Sequence, residues 1–463
     1  MSEGRPTMRR PRSWAFAAFA ALAVTAGAQV EAIRAEPASG VVPVPGVPAG
    51  LFDLIPALPL DGPFLSSDGA WPERWGREGS RLQGVIVEER PRSLPEAGKV
   101  DAGEDRRFLS GADRSDVEAL LAGRGGGGLT FQSEGANSFI LRLPEEGAAG
   151  RALRRSGASM LLRFVSGRAE GDAGTVTIER TWFTVLEPTG GAPARGTALL
   201  MPGIFGTPEG VIDMFASRLR ERGWVVLRML AQPSRFTEAV AMPVDLDGDL
   251  VEDAAAIAEV VNQRSAECAY AVEASFAYLE EKRPELAALP RVALGASGGA
   301  ITLPTVVARE RDRYSAAVLV GGGAAFWLLN ERSNYARWIG AFETVWTPRE
   351  PTRDDLGRVA EAYLASAPLD AYHTAAALRG KPTLFIYGTS DRAVPTPLSE
   401  VLWSRLGEPE RWVRDAGHEL LFMQLTAILE DVMVWLDHAV PRDPAPASGE
   451  RGVAPIPLPD GGR

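Results

Sequence analysis

From Thr197 to Val440, short runs that are apolar at nearly every position alternate with longer stretches whose apolar residues recur every three to four positions. The short runs are "TALLMPGIFG" with its turn (Thr197 to Gly206), "WVVLRML" (Trp224 to Leu230), "RVALGAS" (Arg291 to Ser297), "SAAVLVGGG" (Ser315 to Gly323), "KPTLFIYG" (Lys381 to Gly388) and, more polar, "RWVRDAG" (Arg411 to Gly417). Their length and turn-forming flanks predict strands buried on both faces. Helices are expected between them: Gly210 to Gly223, Asp253 to Leu286, Ala300 to Asp312, Pro397 to Leu406 and Leu421 to Val440. Strand and helix in alternation give βαβ units, and hence a mostly parallel sheet with helices on both faces.

Two regions break that rhythm. Ahead of it, "LTFQSEGANSFILRL" (Leu129 to Leu143), "SMLLRFVSG" (Ser159 to Gly167) and "TVTIERTWFTVLEP" (Thr175 to Pro188) carry strand signals without helices between them. They predict antiparallel strands, either at the start of the sheet or in an accessory layer. Within it, residues 324–378 hold "FWLLNERSNYARWIGAFETVW" and "DDLGRVAEAYLASAPL", read as a helical insertion that caps the sheet or simply packs on it. The fold class is therefore α/β: a mostly parallel sheet flanked by helices, with a helical cap insertion and a β-containing N-terminal extension.

The N-terminus has a different character. Arg9, Arg10 and Arg12 precede the apolar run Ser13 to Ala28, and Ala26-Gly27-Ala28 offers small residues for cleavage, so residues 1–32 read as an export signal. The run falls short of the ~20 residues a bilayer requires, so no stable transmembrane segment is expected in the mature chain. A Pro/Gly-rich linker and extended segment follows at 33–98, then the accessory β region at 99–174, and a disordered tail is expected at 441–463. The glycine run ending at Gly128 lacks the Lys-Ser/Thr pair of a phosphate loop. A net charge of −11 argues against a nucleic-acid surface. Cys268 is the only cysteine, so no intrachain disulfide can form; its helical context reads as a small buried residue.

The chemistry concentrates at "GASGG", Gly295 to Gly299, directly after a predicted buried strand and before a predicted helix. Small residues two positions either side of Ser297 permit a sharp turn that lifts its hydroxyl above the sheet. A serine hydroxyl needs a base, and the chain has three histidines. His373 lies before a core strand and reads as a surface or packing residue, and His438 lies at the end of the last helix. His418, in "DAGHELLF", lies in the loop after the last strand, at the sheet edge where α/β sites form. The orienting carboxylate should end an intervening strand; Asp391 in "YGTSDRAVP" does so, and Asp415 is the rival, close to His418 in sequence. The backbone N–H of Gly298 and a donor from "MPGIFG", Ile204 first and Phe205 second, would hold an oxyanion. The carboxylates of "DLDGDLVED" (Asp245 to Asp253) miss the EF-hand pattern at its sixth and twelfth positions and read as an acidic loop.

These motifs, in the order Ser297, Asp391, His418, resemble the α/β-hydrolase superfamily, whose domain is drawn here at 175–440. The resemblance implies Ser297 as nucleophile, Asp391 as acid and His418 as base, with a lid where residues 324–378 fall. One departure stands out: many members open the oxyanion turn with His-Gly, whereas this chain has Pro202-Gly203, which removes a side chain that often braces the loop. No metal or organic cofactor is required. The function read from the sequence is an exported (periplasmic or secreted) serine hydrolase of a small-molecule or lipid-like carboxylic ester. A peptidase or amidase using the same triad, and a non-catalytic binding protein retaining the fold, stay open as alternatives.

Overall fold

The structure is a computed structural model that describes residues 55–56, 58, 68–72, 82–89, 130–133, 159–170 and 175–441, apart from positions 192, 205–207, 231, 233–239 and 337–341. The expected export signal, the glycine run at 125–128, residues 134–143 and the expected tail from 442 lie outside the described residues.

The strands are Leu82–Glu89 (β1), Thr130–Ser133 (β2), Met160–Glu170 (β3), Thr175–Leu186 (β4), Gly196–Met201 (β5), Trp224–Met229 (β6), Val240–Asp245 (β7), Arg291–Ala296 (β8), Tyr314–Val320 (β9), Phe342–Thr347 (β10), Thr383–Gly388 (β11) and Glu410–Arg414 (β12). The α-helices are Glu209–Glu221 (α1), Leu250–Lys282 (α2), Gly298–Arg309 (α3), Phe326–Arg332 (α4), Arg353–Ser366 (α5), Ala371–Thr374 (α6), Thr396–Arg405 (α7) and His418–Ala439 (α8). One sheet runs in the order β1-β3-β4-β6-β5-β8-β9-β11-β12, with β2 paired to β4 off that path. From β6 to β12 every neighbouring pair is parallel, while β1, β3, β4 and β6 join antiparallel. This is the sheet of an α/β-hydrolase fold.

The five central parallel strands β5, β6, β8, β9 and β11 are buried at almost every position, as their unbroken apolar runs require. Side chains alternate across the sheet, so each strand feeds two cores. Leu199, Leu227, Ala293 and Leu319 face α2 and α3, and Leu200, Val226, Leu294 and Val318 face α1 and α8. Truncating a fully buried leucine of this kind to alanine costs about 2–5 kcal/mol. Helix α2 starts where Asp249 accepts from the N–H groups of Val251 and Glu252, and stays half-embedded for 33 residues.

The chain enters the parallel part at β5, crosses to β6 on one side, and returns past β5 to reach β8 on the other. The connections leaving β5 and β8 therefore diverge, and a crevice opens between their carboxyl ends, where α/β sheets hold ligands. Met201, the last residue of β5, lies in register with Gly295, so the turn after each strand opens at the same height.

Three features differ from the sequence reading. Leu82–Glu89, within the stretch read as linker, is an edge strand of the main sheet. The β3–β4 pairing carries that sheet across the division drawn at 174/175, and β2 joins it parallel rather than antiparallel. The 324–378 insertion is not helical throughout: β10 pairs in parallel with β7 in a separate two-stranded sheet. Its exposure alternates from Phe342 to Thr347, the period of a strand with one covered face.

Candidate active site

Strand β8 ends at Ala296 and α3 begins at Gly298, leaving Ser297 to make the whole turn at φ 51°, ψ −117°. A non-glycine residue in such a region costs on the order of 1–3 kcal/mol and persists only where its surroundings enforce it. They do. The Ser297 N–H donates to the Val320 carbonyl at 2.8 Å, and the Ser297 carbonyl accepts from the Ile301 N–H at 3.0 Å. A β-carbon on Gly295 would come within 2.7 Å of the Gly299 carbonyl oxygen, and one on Gly299 within 2.3 Å of that of Met201. The two glycines are thus the condition for this turn against β5.

His418 Nε2 lies 2.9 Å from Ser297 Oγ. Its Nδ1 lies 2.6 Å from Asp391 Oδ2, so Nδ1–H donates to the carboxylate and Nε2 is left to accept from the serine. Asp391 follows β11 and is 1% exposed; its other oxygen accepts from the N–H groups of Ala393 and Val394 at 2.9 and 2.8 Å. Those two donors keep the carboxylate aimed at the imidazole. His418 is buried and is the first residue of α8, with Gly417 as the N-cap, rather than part of the preceding loop. The three residues converge as a Ser-His-Asp triad of serine-hydrolase geometry.

The other residues singled out from the sequence fall elsewhere. Asp415 is exposed and accepts from the Thr389 hydroxyl at 3.2 Å. His373 is buried, its Nε2–H directed to the Leu364 carbonyl at 2.8 Å, and burial holds its pKa below the ordinary histidine range. His438 is exposed near the end of α8. Cys268 is buried, which pushes its thiol pKa up to about 12 and leaves it without thiolate character. Asp249 caps α2 and Asp253 accepts from the Asp245 N–H at 2.8 Å, so the acidic stretch serves the helix start. Among the described residues no group of three or more His, Cys, Asp or Glu is arranged to hold a metal ion.

Around the triad, Gly298 carries the first N–H of α3, and a β-carbon there would stand 3.1 Å from the Ile204 nitrogen, so the turn after β5 lies directly against the nucleophile turn. Phe205 and Trp338 lie outside the described residues. Two aromatic rings flank the imidazole edge-on: Phe422 of α8 at 5.0 Å and Tyr335 of the insertion at 5.8 Å between centroids. The Tyr335 hydroxyl donates to Glu419, and burial together with that carboxylate raises its pKa. Tyr335 carries no local sequence signal for this place; only the fold brings it to the imidazole. The aromatics Phe326, Trp327, Phe342 and Trp346 pack on one another instead, as aromatics at these spacings commonly do. Of the α8 residues, Leu421 and Phe422 are buried, while Met423 is exposed.

No protein-family model and no curated protein matches the chain. Solved structures do. Est1E from Butyrivibrio proteoclasticus is similar at 16% identity, over 58% of this chain and 98% of that one, with a TM-score of 0.35. The Pyrococcus furiosus esterase Pf2001 matches at 14% identity, over 57% of this chain and 86% of that one, with a TM-score of 0.35. Pyrococcus horikoshii acylaminoacyl peptidase matches at 11% identity, over 56% of this chain but 39% of the peptidase, with a TM-score of 0.37. Likeness at this level carries no argument about activity, and the strand order and triad stand without it.

Proposed function

We propose that the protein hydrolyses carboxylic esters through an acyl-enzyme. The observation that carries this reading is the unbroken hydrogen-bond chain Ser297–His418–Asp391, with distances of 2.9 and 2.6 Å. As Ser297 Oγ attacks the substrate carbonyl carbon, His418 Nε2 takes its proton and the carbonyl π pair moves onto oxygen. Asp391 keeps the proton on Nδ1 and offsets the imidazolium charge. The oxyanion is received by the N–H groups of Gly298 and Ile204, a placement supported by the contact between their two turns. Collapse of the intermediate expels the alkoxide, which takes the proton from His418. Water, deprotonated in turn by His418, attacks the acyl carbon and frees Ser297.

The apolar rings beside the imidazole, Phe422 and Tyr335, favour an ester with an uncharged, small-molecule or lipid-like alcohol. Among the described residues no helix is long and apolar enough to cross a membrane. The arginine-led apolar N-terminus supports export, which N-terminal sequencing of the mature protein tests: an intact residue 1 in the exported fraction rejects cleavage.

The test of function is a panel of p-nitrophenyl esters of graded acyl length beside aminoacyl p-nitroanilides, with fluorophosphonate labelling mapped to residue. Turnover of esters in preference to anilides, with the label on Ser297, supports the reading. Anilide preference replaces it with a peptidase or amidase, and absence of both turnover and label leaves a binding protein.

A further inference from the structure

The turn after β5 lacks the histidine that would brace it from within, yet its backbone is held. Gln232, just past the end of β6, is 3% exposed. Its side-chain Nε2–H donates to the Pro202 carbonyl at 3.3 Å, and its own backbone N–H donates to the Ile204 carbonyl at 3.3 Å. The peptide that carries the Ile204 N–H therefore lies between two carbonyls tied to one residue. The amide of Gln232 is in turn oriented from α2: the Cys268 thiol donates to Oε1 at 3.4 Å, which leaves Nε2–H to face Pro202. Cys268 also faces the Thr302 hydroxyl, and Thr302 donates to the Gly298 carbonyl at 3.1 Å in the first turn of α3. A buried polar chain thus runs from the turn after β5 to the first turn of α3, the two turns that carry the Ile204 and Gly298 N–H groups.

We propose that Gln232 is the positioning residue of the oxyanion pocket, taking the place of the missing turn histidine from a neighbouring strand. This inference rests on the hydrolase reading above. A buried amide makes a suitable brace because it is uncharged over the working pH range and has a donor and an acceptor on opposite arms of one rigid plane. It touches no reacting atom. Its contribution is the placement of the Ile204 donor, which matters only once negative charge forms on the substrate oxygen.

The experiment compares the full-length protein with Gln232→Met, which keeps the volume and removes both polar arms, and with the milder Gln232→Asn. Readouts are kcat and KM for the preferred p-nitrophenyl ester, inhibition by a trifluoromethyl ketone, inhibition by the carboxylate product, and the melting curve. The ketone reports on the pocket because Ser297 Oγ adds to its carbonyl carbon, the proton passes to His418 and the carbonyl oxygen becomes an oxyanion. The expected result is a kcat about 10- to 100-fold lower in Gln232→Met, smaller than the loss on removing an oxyanion donor itself, with ketone affinity falling in parallel. KM and product affinity should stay within about twofold, since ground-state binding does not use the pocket fully. Unchanged kcat and ketone affinity overturn the proposal, and so does a parallel loss of product affinity, the mark of a disordered site. If Gln232→Met does not fold, Gln232→Asn is judged by the same criteria. Failure of fluorophosphonate to label wild-type Ser297 overturns the hydrolase reading, whereas labelling with wild-type kinetics in the variants overturns only the brace.

Discussion

A polar residue stands at each end of strand β8, Arg291 as its first residue and Ser297 just past its last, and the two are treated in opposite ways. At its start, the Arg291 side chain is 1% exposed, yet its guanidinium is met from both sides: Glu310 at 2.8 Å and Glu280 at 2.7 Å. The Phe276 ring lies 3.7 Å beneath it. Both terminal nitrogens of the planar fork are paired with carboxylates, and its face is stacked on the ring. Just past the other end, Ser297 is held in a backbone conformation that costs energy, and its hydroxyl faces a base rather than a saturating set of partners. The amino end of the strand uses its polar group to fix helices α2 and α3 to the sheet. The carboxyl end uses a strained turn, which the rest of the fold must stabilise, to keep a proton transferable. Burial of a polar side chain alone therefore does not mark function; an unsaturated hydroxyl at a topological switch, backed by a base, does.

The contrast yields separable predictions. Ser297→Ala should reduce kcat roughly 10⁶-fold while leaving the melting temperature essentially unchanged. A variant retaining measurable burst kinetics would end the assignment. Asp391→Asn keeps the shape, but its one oxygen is claimed by the Ala393 and Val394 N–H groups, so its amide N–H faces Nδ1 and favours the wrong imidazole tautomer; kcat should fall roughly 10⁴-fold. A loss below tenfold would mean that the carboxylate is not the orienting group. Arg291→Met inverts the pattern: unfolding free energy in urea should drop by about 3 kcal/mol, because Glu310 loses its cation and Glu280 keeps only Arg313. The lower end of the usual range applies because both keep about one-fifth of their exposure. The activity per folded molecule should be intact, and an activity loss without destabilisation would break the distinction between the two ends.

The smallest effect concerns pH. Burial holds His373 neutral in the folded chain, so its folded pKa lies below that of the unfolded chain, about 6.5. Above that pH both states are neutral there and nothing changes. As pH falls through it, the unfolded chain binds a proton that the folded one refuses, and stability declines by at most about 1.4 kcal/mol per pH unit until the folded pKa is reached. Asp370 opposes this depression and Arg405 adds to it. His373→Gln should flatten the slope of urea midpoint against pH between about 7 and 5. An unchanged slope would place the titrating group elsewhere.

What the sequence revealed follows the locality of each signal. The nucleophile turn needs small residues at fixed offsets, and the acid and base follow strand ends, so Ser297, Asp391 and His418 were legible from short segments. The parallel strands were legible because burial on both faces leaves an unbroken apolar run. Strand β10 was hidden because Phe342 and Trp346 are four apart, which puts them on one face of either a helix or a strand. Strand β1 was hidden because its apolar run, Val85 to Val87, is short and set among polar, proline and glycine residues. Gln232 and Tyr335 have no signature at all: each acquires its place only when distant segments meet.

Asp370, near the far end of the insertion, accepts four hydrogen bonds: from the N–H groups of Ala325, Phe326 and Tyr372, and from the Tyr363 hydroxyl. One carboxylate thereby rivets the place where the chain leaves the sheet to the place where it comes back. Trp327, Leu356, Val359 and Tyr363, between the two rivets, are buried in the core that backs the sheet, so the insertion shares that core rather than standing apart from it.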